Sequence, residues 1–201
     1  MYMSPRNADQ NKLIRDERKE QILSSALKVF SNRGFVATKI SDIAKEASLS
    51  HGLVYHYFES KDEIFATLVE RALQSSDQLM LMTVSVQGNS LDQIAWMTQQ
   101  ILSAFAEREE AVYYHHIMLQ ASTYQSMPDS VKSQMQQLTS PMKHMVGIIE
   151  EGQRRGEIHG GDAKRLATLY WSMIQGLALM KIEAGEYFSM PDCDMIVRMF
   201  K

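Results

Sequence analysis

The chain has 201 residues, 45% apolar and 22% charged, with a net charge of −3, the profile of a globular protein long enough to bury a core without disulfide staples. Its single cysteine, Cys193, excludes an internal disulfide, and no run of 18 apolar residues is available to cross a membrane. Charge is scattered through Met1 to Phe30, where a secretory leader needs an apolar stretch, so a cytoplasmic protein without membrane contact and with a reduced thiol is expected.

Fifteen Met against ten Gly and four Pro, with no alternating Val/Ile/Thr run between turn residues, predicts an all-α fold. Charge is uneven along it. Residues 1–61 carry ten Lys and Arg against seven Asp and Glu, and the remaining 140 carry eleven against seventeen. The N-terminal third is therefore the part suited to a polyanion.

In chain order, residues 1–12 are polar and aperiodic and read as a mobile arm, from which Arg6 and Lys12, with Arg15 just beyond, reach toward phosphate. Ile22, Leu23, Ala26, Leu27 and Phe30 recur at helical spacing between Asp16 and Asn32, and Gly34 ends that first helix. Thr38 is the expected N-cap of a short second helix turning Ile40, Ile43, Ala44 and Ala47 inward. After a turn at Ser48 and Leu49, Ser50 caps a third helix, His51 to about Phe58, too short to stand without tertiary packing. Ser60 and Glu63 form a capping box opening a long fourth helix, and Ser90 to Gln93 reads as a second box, opening a helix to Glu107. Further helices are expected from Glu109 to Tyr124, from Asp129 to Arg155 with a kink at Pro141, from Asp162 to Ala184, and from Met190 to Lys201.

Ile43, Ala44, Ala47, Ser48, Leu49 and Val54 satisfy the packing of two helices crossing through a tight turn: a small residue at the crossing, an apolar one after the turn, another one helical turn later. Such a helix-turn-helix projects the start of its second helix outward, here Ser50, His51, Gly52, Leu53, Tyr55 and His56. Hydroxyl, imidazole and backbone groups there suit base edges in a major groove.

Residues 16–73 resemble the DNA-binding domain of TetR/AcrR-family transcriptional regulators. The resemblance rests on Ile22, Leu23, Ala26, Phe30, Gly34, Phe35, Ala37, Thr38, Ile43, Ala44 and Ala47, and most specifically on the run from Ser50 to Lys61. It implies phosphate contact by Thr38, Tyr55, Tyr57 and Lys61, with base reading by Ser50, His51, Leu53 and His56 and close groove approach at Gly52. Tyr57 reads equally well as packing beside Phe58. Two positions depart from the family pattern: Ser48 stands where the turn usually has Gly and must reach a left-handed backbone at some cost, and Lys39 replaces a Thr or Ser and adds a possible phosphate contact.

The implied architecture is a three-helix DNA-binding domain at 13–60, with its motif at about 39–58, followed by a larger helical regulatory and dimerisation domain at 61–201. Thirteen of the fifteen Met lie beyond Ser75. With the aromatics they either fill a helical core or line an adaptable apolar pocket, for which Trp96, Phe105, Tyr113, His116, Met145 and Trp171 are the candidates. His115 and His116 point about 100° apart on one helix and have no His or carboxylate at ligand spacing, so no metal is expected. The helix from Asp162 is apolar nearly all round, which suggests a partner helix. Leu166, Tyr170, Met173, Leu177 and Met180, with Met195 and Met199, are the expected seam of a homodimer.

No catalytic constellation, phosphate-binding loop or cofactor motif is present, so an enzyme is not expected. The expectation is a homodimeric repressor, bound to a palindromic double-stranded DNA operator and released by a small apolar or amphipathic ligand. The alternative is a DNA-binding regulator whose C-terminal domain answers to a protein partner or has no small-molecule inducer.

Overall fold

A computed structural model describes residues 5–123, 127–136 and 141–201, with side chains from residue 10 onward. Among these residues there is no strand, and α-helices run in the order α1 Pro5–Ala37, α2 Ile40–Glu46, α3 His51–Tyr57, α4 Lys61–Ser85, α5 Ser90–Glu107, α6 Glu109–Thr123, α7 Asp129–Gln136, α8 Pro141–Arg154, α9 Ala163–Ala184 and α10 Cys193–Val197. No described helix is long and apolar enough to cross a membrane.

Helix α1 begins well before the expected Asp16. Its Gln10 to Glu20 stretch is wholly exposed, Leu13 and Ile14 included, so strong helix formers and not packing carry it. Lys12 and Arg15 are exposed there, whereas the side chain of Arg6, like Tyr124, lies outside the described residues. From Ile22 the predicted face is buried, Ile22, Ala26 and Phe30 completely. The helix is interrupted at Gly34, whose φ of +77° no β-carbon-bearing residue adopts cheaply. Phe30, Phe35 and Phe65 meet behind that break at ring separations of 4.8 to 6.0 Å.

Three caps differ from expectation. Lys39, not Thr38, is the N-cap of α2, and its amide donates to the Asp42 carboxylate at 2.9 Å. Asn89 rather than Ser90 caps α5: its side-chain carbonyl accepts from the Asp92 amide at 3.0 Å, and the Asp92 carboxylate accepts from the Asn89 amide at 2.9 Å. Ser60 does accept from the Glu63 amide, but Glu63 reaches back one residue further, to the Glu59 amide. Of the long helix expected from Asp129, the described parts are α7 and α8, the latter with Pro141 as its first residue, where a missing N–H is tolerated; residues 137–140 lie outside the described residues.

The core forms two clusters. One joins α1, α2, α3 and the first half of α4 to the α6 residues Tyr113, Ile117 and Ala121 and to Val131 of α7. The other gathers the end of α4 and Val112 of α6 with α5, α8, α9 and α10. Helices α4 and α6 therefore belong to both, and the expected boundary at 60 and 61 falls within the first cluster.

Candidate nucleic-acid interface and cavity

The turn between α2 and α3 closes α2 with paired backbone bonds, Leu49 N–H to Ala44 O at 2.9 Å and Ser48 N–H to Lys45 O at 3.1 Å. This is a Schellman motif, and it requires a left-handed residue at Ser48, whose φ is +54°. Gln21 of α1 donates to the Ala47 carbonyl at 2.8 Å, capping a group that the turn leaves without a helical partner. Ile43, Ala44, Val54 and Phe58 are buried beneath it, fixing α3 by one face only. Its other face presents His51, Gly52, Tyr55 and His56 to solvent, with Ser50 accepting from the Leu53 amide at 3.2 Å. His51 and Tyr55 stack edge to face at 4.9 Å, and a β-carbon placed on Gly52 would meet nothing within 4 Å. Leu53 and Tyr57 are half-buried, Tyr57 against the core and His56.

A cavity of about 750 Å³ lies between α4, α5, α6, α8 and α9. Of the six candidates, Trp96, Phe105 and Trp171 line it. Tyr113, His116 and Met145 do not. Tyr113 faces α1, where its carbonyl accepts from Ser31 Oγ at 3.1 Å and its hydroxyl donates to Glu109; burial and that carboxylate push the phenol up to about 12. Met145 is buried in the second core cluster. The wall positions go instead to the next turn face of α6, Tyr114, His115 and Met118. Burial pushes the His115 imidazole down to about 4, with the neighbouring His116 adding to it.

Of the expected seam, Tyr170 is fully buried within its own chain, its hydroxyl 3.1 Å from Thr98 Oγ, and so is unavailable to a partner. Leu166, Met173, Leu177 and Met199 are half-buried against the second cluster. Met180 and Met195 are exposed, and Leu169 and Leu179 join them as exposed apolar residues that the sequence reading did not select.

The family model for "Bacterial regulatory proteins, tetR family" matches residues 22–68. The transcriptional regulator HbdR of Aromatoleum sp. (strain CIB) is 43% identical over 63 residues, which spans 31% of this chain and 28% of HbdR. The transcriptional repressor BepR of Brucella suis is 26% identical over 163 residues, 80% of this chain and 78% of BepR. The MbdR regulator from Azoarcus sp. CIB has the same fold, with a TM-score of 0.71 at 19% identity over 90% of this chain and 96% of that one. FadR from Bacillus subtilis, solved with stearoyl-CoA, follows at 0.66 and 18%, over 90% and 96%. Over its DNA-binding segment, residues 22–68, the chain matches the TetR family of bacterial regulatory proteins.

Two of the residues to which the TetR resemblance gave phosphate contacts are turned inward here. Thr38 is 1% exposed, and its hydroxyl donates to Gly34 O at 2.7 Å, across the break in α1. The Lys61 ammonium donates to Phe35 O and Thr38 O, each at 2.9 Å, and lies 4.5 Å from the Phe35 ring centroid. Breaking α1 leaves those carbonyls without helical partners, and a long cation at the start of α4 is what reaches them. Lys39, by contrast, is exposed at the start of α2 beside α3.

The sequence reading also missed Gln120, buried on α6. It accepts from Phe35 N–H at 3.1 Å and donates to Phe30 O at 3.0 Å, tying α6 to both sides of the break in α1. A lone Gln in an apolar helix stretch was the available signal.

Proposed function

We propose that this TetR-family protein is a homodimeric transcriptional repressor that binds a palindromic operator through α3 and is released when a small molecule enters the cavity. The observation that carries the reading is the exposed row His51, Gly52, Tyr55 and His56 on a helix whose opposite face is locked into the core. Its length suits a major groove. Ser50, Leu53 and Lys39 flank that row, Tyr55, Tyr57 and Lys39 are the phosphate contacts, and His51 reads bases. The cavity shares α4 and α6 with the DNA-binding head, so a ligand that prefers one placement of those helices biases the other site. FadR from Bacillus subtilis, which has the same fold, was solved in complex with stearoyl-CoA, which supports a ligand-responsive reading. A cavity of this size also favours a small molecule over the protein-partner alternative. Such a protein works in the cytoplasm, where the DNA is.

Selection of bound sequences from a random DNA pool, at stated salt, tests the reading and yields the operator. Recovery of a palindrome that is lost when His51 and Tyr55 are replaced is the expected result. Gly52→Ala separates fold from function: an added methyl on an exposed helix position stabilises by about 1 kcal/mol, yet operator affinity falls at least tenfold because the methyl meets DNA. Unchanged affinity would show that α3 does not approach the groove at Gly52.

A further inference from the structure

Residues 199 and 200 are fastened to the loop between α8 and α9 through His159. Phe200 is completely buried, with its ring 6.1 Å from that of Tyr170, and its carbonyl accepts from the His159 amide at 3.1 Å. The exposed His159 ring adds two contacts, Nδ1 at 2.6 Å from Gly160 O and Nε2 at 2.8 Å from Met199 O. Gln153 of α8 holds the loop in place, donating to His159 O at 2.9 Å and to Gly161 O at 3.1 Å.

Both of those ring contacts end on carbonyl oxygens, which can only accept. A neutral imidazole has one N–H, so in either tautomer its bare nitrogen would aim a lone pair at the second carbonyl. The imidazolium, with a proton on each nitrogen, makes both bonds. The carbonyls of Gly160 and then Met199 accordingly hold His159 above the ordinary histidine range, outweighing the desolvation that opposes them. The acids around the loop are engaged elsewhere. Glu157 accepts from the Ser90 amide at 2.9 Å, Asp162 accepts from the Arg165 amide at 2.9 Å, and Glu151 pairs with Arg154 and Arg155. Asp192 and Asp194 at α10, Lys164 and Arg165 of α9, and Arg198 and Lys201 beside the fastened residues are exposed to water.

We propose that His159 is a proton-dependent clasp: the imidazolium ties the segment at Met199 and Phe200 to the α8–α9 loop, and the neutral ring lets go of Met199 O and loosens it. The bond to Gly160 is the shorter and joins adjacent residues, so closing it costs little chain entropy and the neutral ring retains it. The folded chain holds the proton more tightly than the unfolded one. Fastening is therefore complete below the ordinary histidine value of 6.5 and is lost as pH rises through the higher value of folded His159. Neither DNA nor a cavity ligand takes part, so the clasp stands or falls apart from the repressor reading.

The test uses the full chain alone. Ring-nitrogen NMR shifts of the histidines are followed against pH, with the His159 signal assigned as the one missing from His159→Gln. Its midpoint lies above 6.5, the ordinary value, and below that midpoint both ring nitrogens are protonated. Hydrogen exchange then reads the segment itself, through the amide of residue 159, whose acceptor is Phe200 O. Corrected for the intrinsic effect of pH, its protection falls at least about threefold between about pH 6 and about pH 8.5, while amides in the middle of α5 keep theirs. In His159→Gln, which has no proton to lose, protection at that amide is low and flat across the same range. A midpoint at or below 6.5, protection that does not change with pH in the wild type, or a fall that persists in His159→Gln overturns the proposal. The wild-type titration and exchange decide it even where the variant is poorly folded, which thermal unfolding reports.

Discussion

Ser48 is the sole non-glycine at positive φ among the described residues, and it sits where the α2–α3 turn allows no other conformation. A left-handed backbone costs an ordinary residue about 1 to 2 kcal/mol, offset in glycine by greater freedom in the unfolded chain. Ser48→Gly should therefore raise stability by about 1 kcal/mol, measured as a higher midpoint in thermal or urea unfolding, with operator binding unchanged. A lower midpoint would show that the Ser48 side chain contributes more than its backbone costs. Lys61 carries the opposite lesson. Its place at the start of a helix next to α3 was legible in the sequence, and the family resemblance implied phosphate, whereas here the ammonium donates to the carbonyls of Phe35 and Thr38. Removing the ammonium with Lys61→Met should lower stability by about 1 to 3 kcal/mol and leave the slope of operator affinity against salt as it was. A slope reduced by about one would restore a direct phosphate contact.

At the scale of elements, the order of the helices and their buried faces were legible because the apolar residues of α1 to α5 recur at helical period. Which of two adjacent residues faces the cavity was not. Helix α6 is apolar almost all round, so Tyr113 and Tyr114, or His115 and His116, are separated only by about 100° of rotation that depends on its neighbours. The structure resolves this with polar bonds: Tyr113 and Gln120 hold α1, which turns Tyr114, His115 and Met118 to the cavity. One helix thus touches both the cavity wall and the N-terminal cluster that carries α3. Gln120→Met removes both bonds while keeping the volume, and stability should fall by about 1 to 3 kcal/mol as the Phe35 amide loses its partner. Ligand affinity should stay within about twofold, while the ratio of operator affinities without and with ligand shrinks by about tenfold. An unchanged ratio would assign the coupling to α4 alone.

For the molecule as a whole, the question is what covers α9. Its buried positions Ala163, Ala167, Tyr170, Ile174 and Ala178 follow one helical stripe into the chain's own core, while Leu169, Gly176, Leu179 and Met180 remain exposed on the opposite one. Of the residues expected at the seam, Tyr170 falls on the buried stripe, Met180 on the exposed one, and Leu166, Met173 and Leu177 between them, since an all-round apolar helix offers no internal sign of which side its own chain will occupy. Gly176 has open space where a β-carbon would be, so a second helix can approach closely there. Two heads fixed by such a seam meet two half-sites at once, and linking them multiplies affinity by about 10² to 10⁴ over one head alone. Replacing Leu169 and Leu179 together by Glu puts like charges on both sides of the two-fold axis and leaves the chain's own core untouched. The variant should elute as a folded monomer by light scattering, bind an isolated half-site as the wild type does, and lose at least a hundredfold in affinity for the full palindrome. A variant that remains dimeric, or a monomer that holds the palindrome as tightly as the wild type, would place the seam on another face of the molecule.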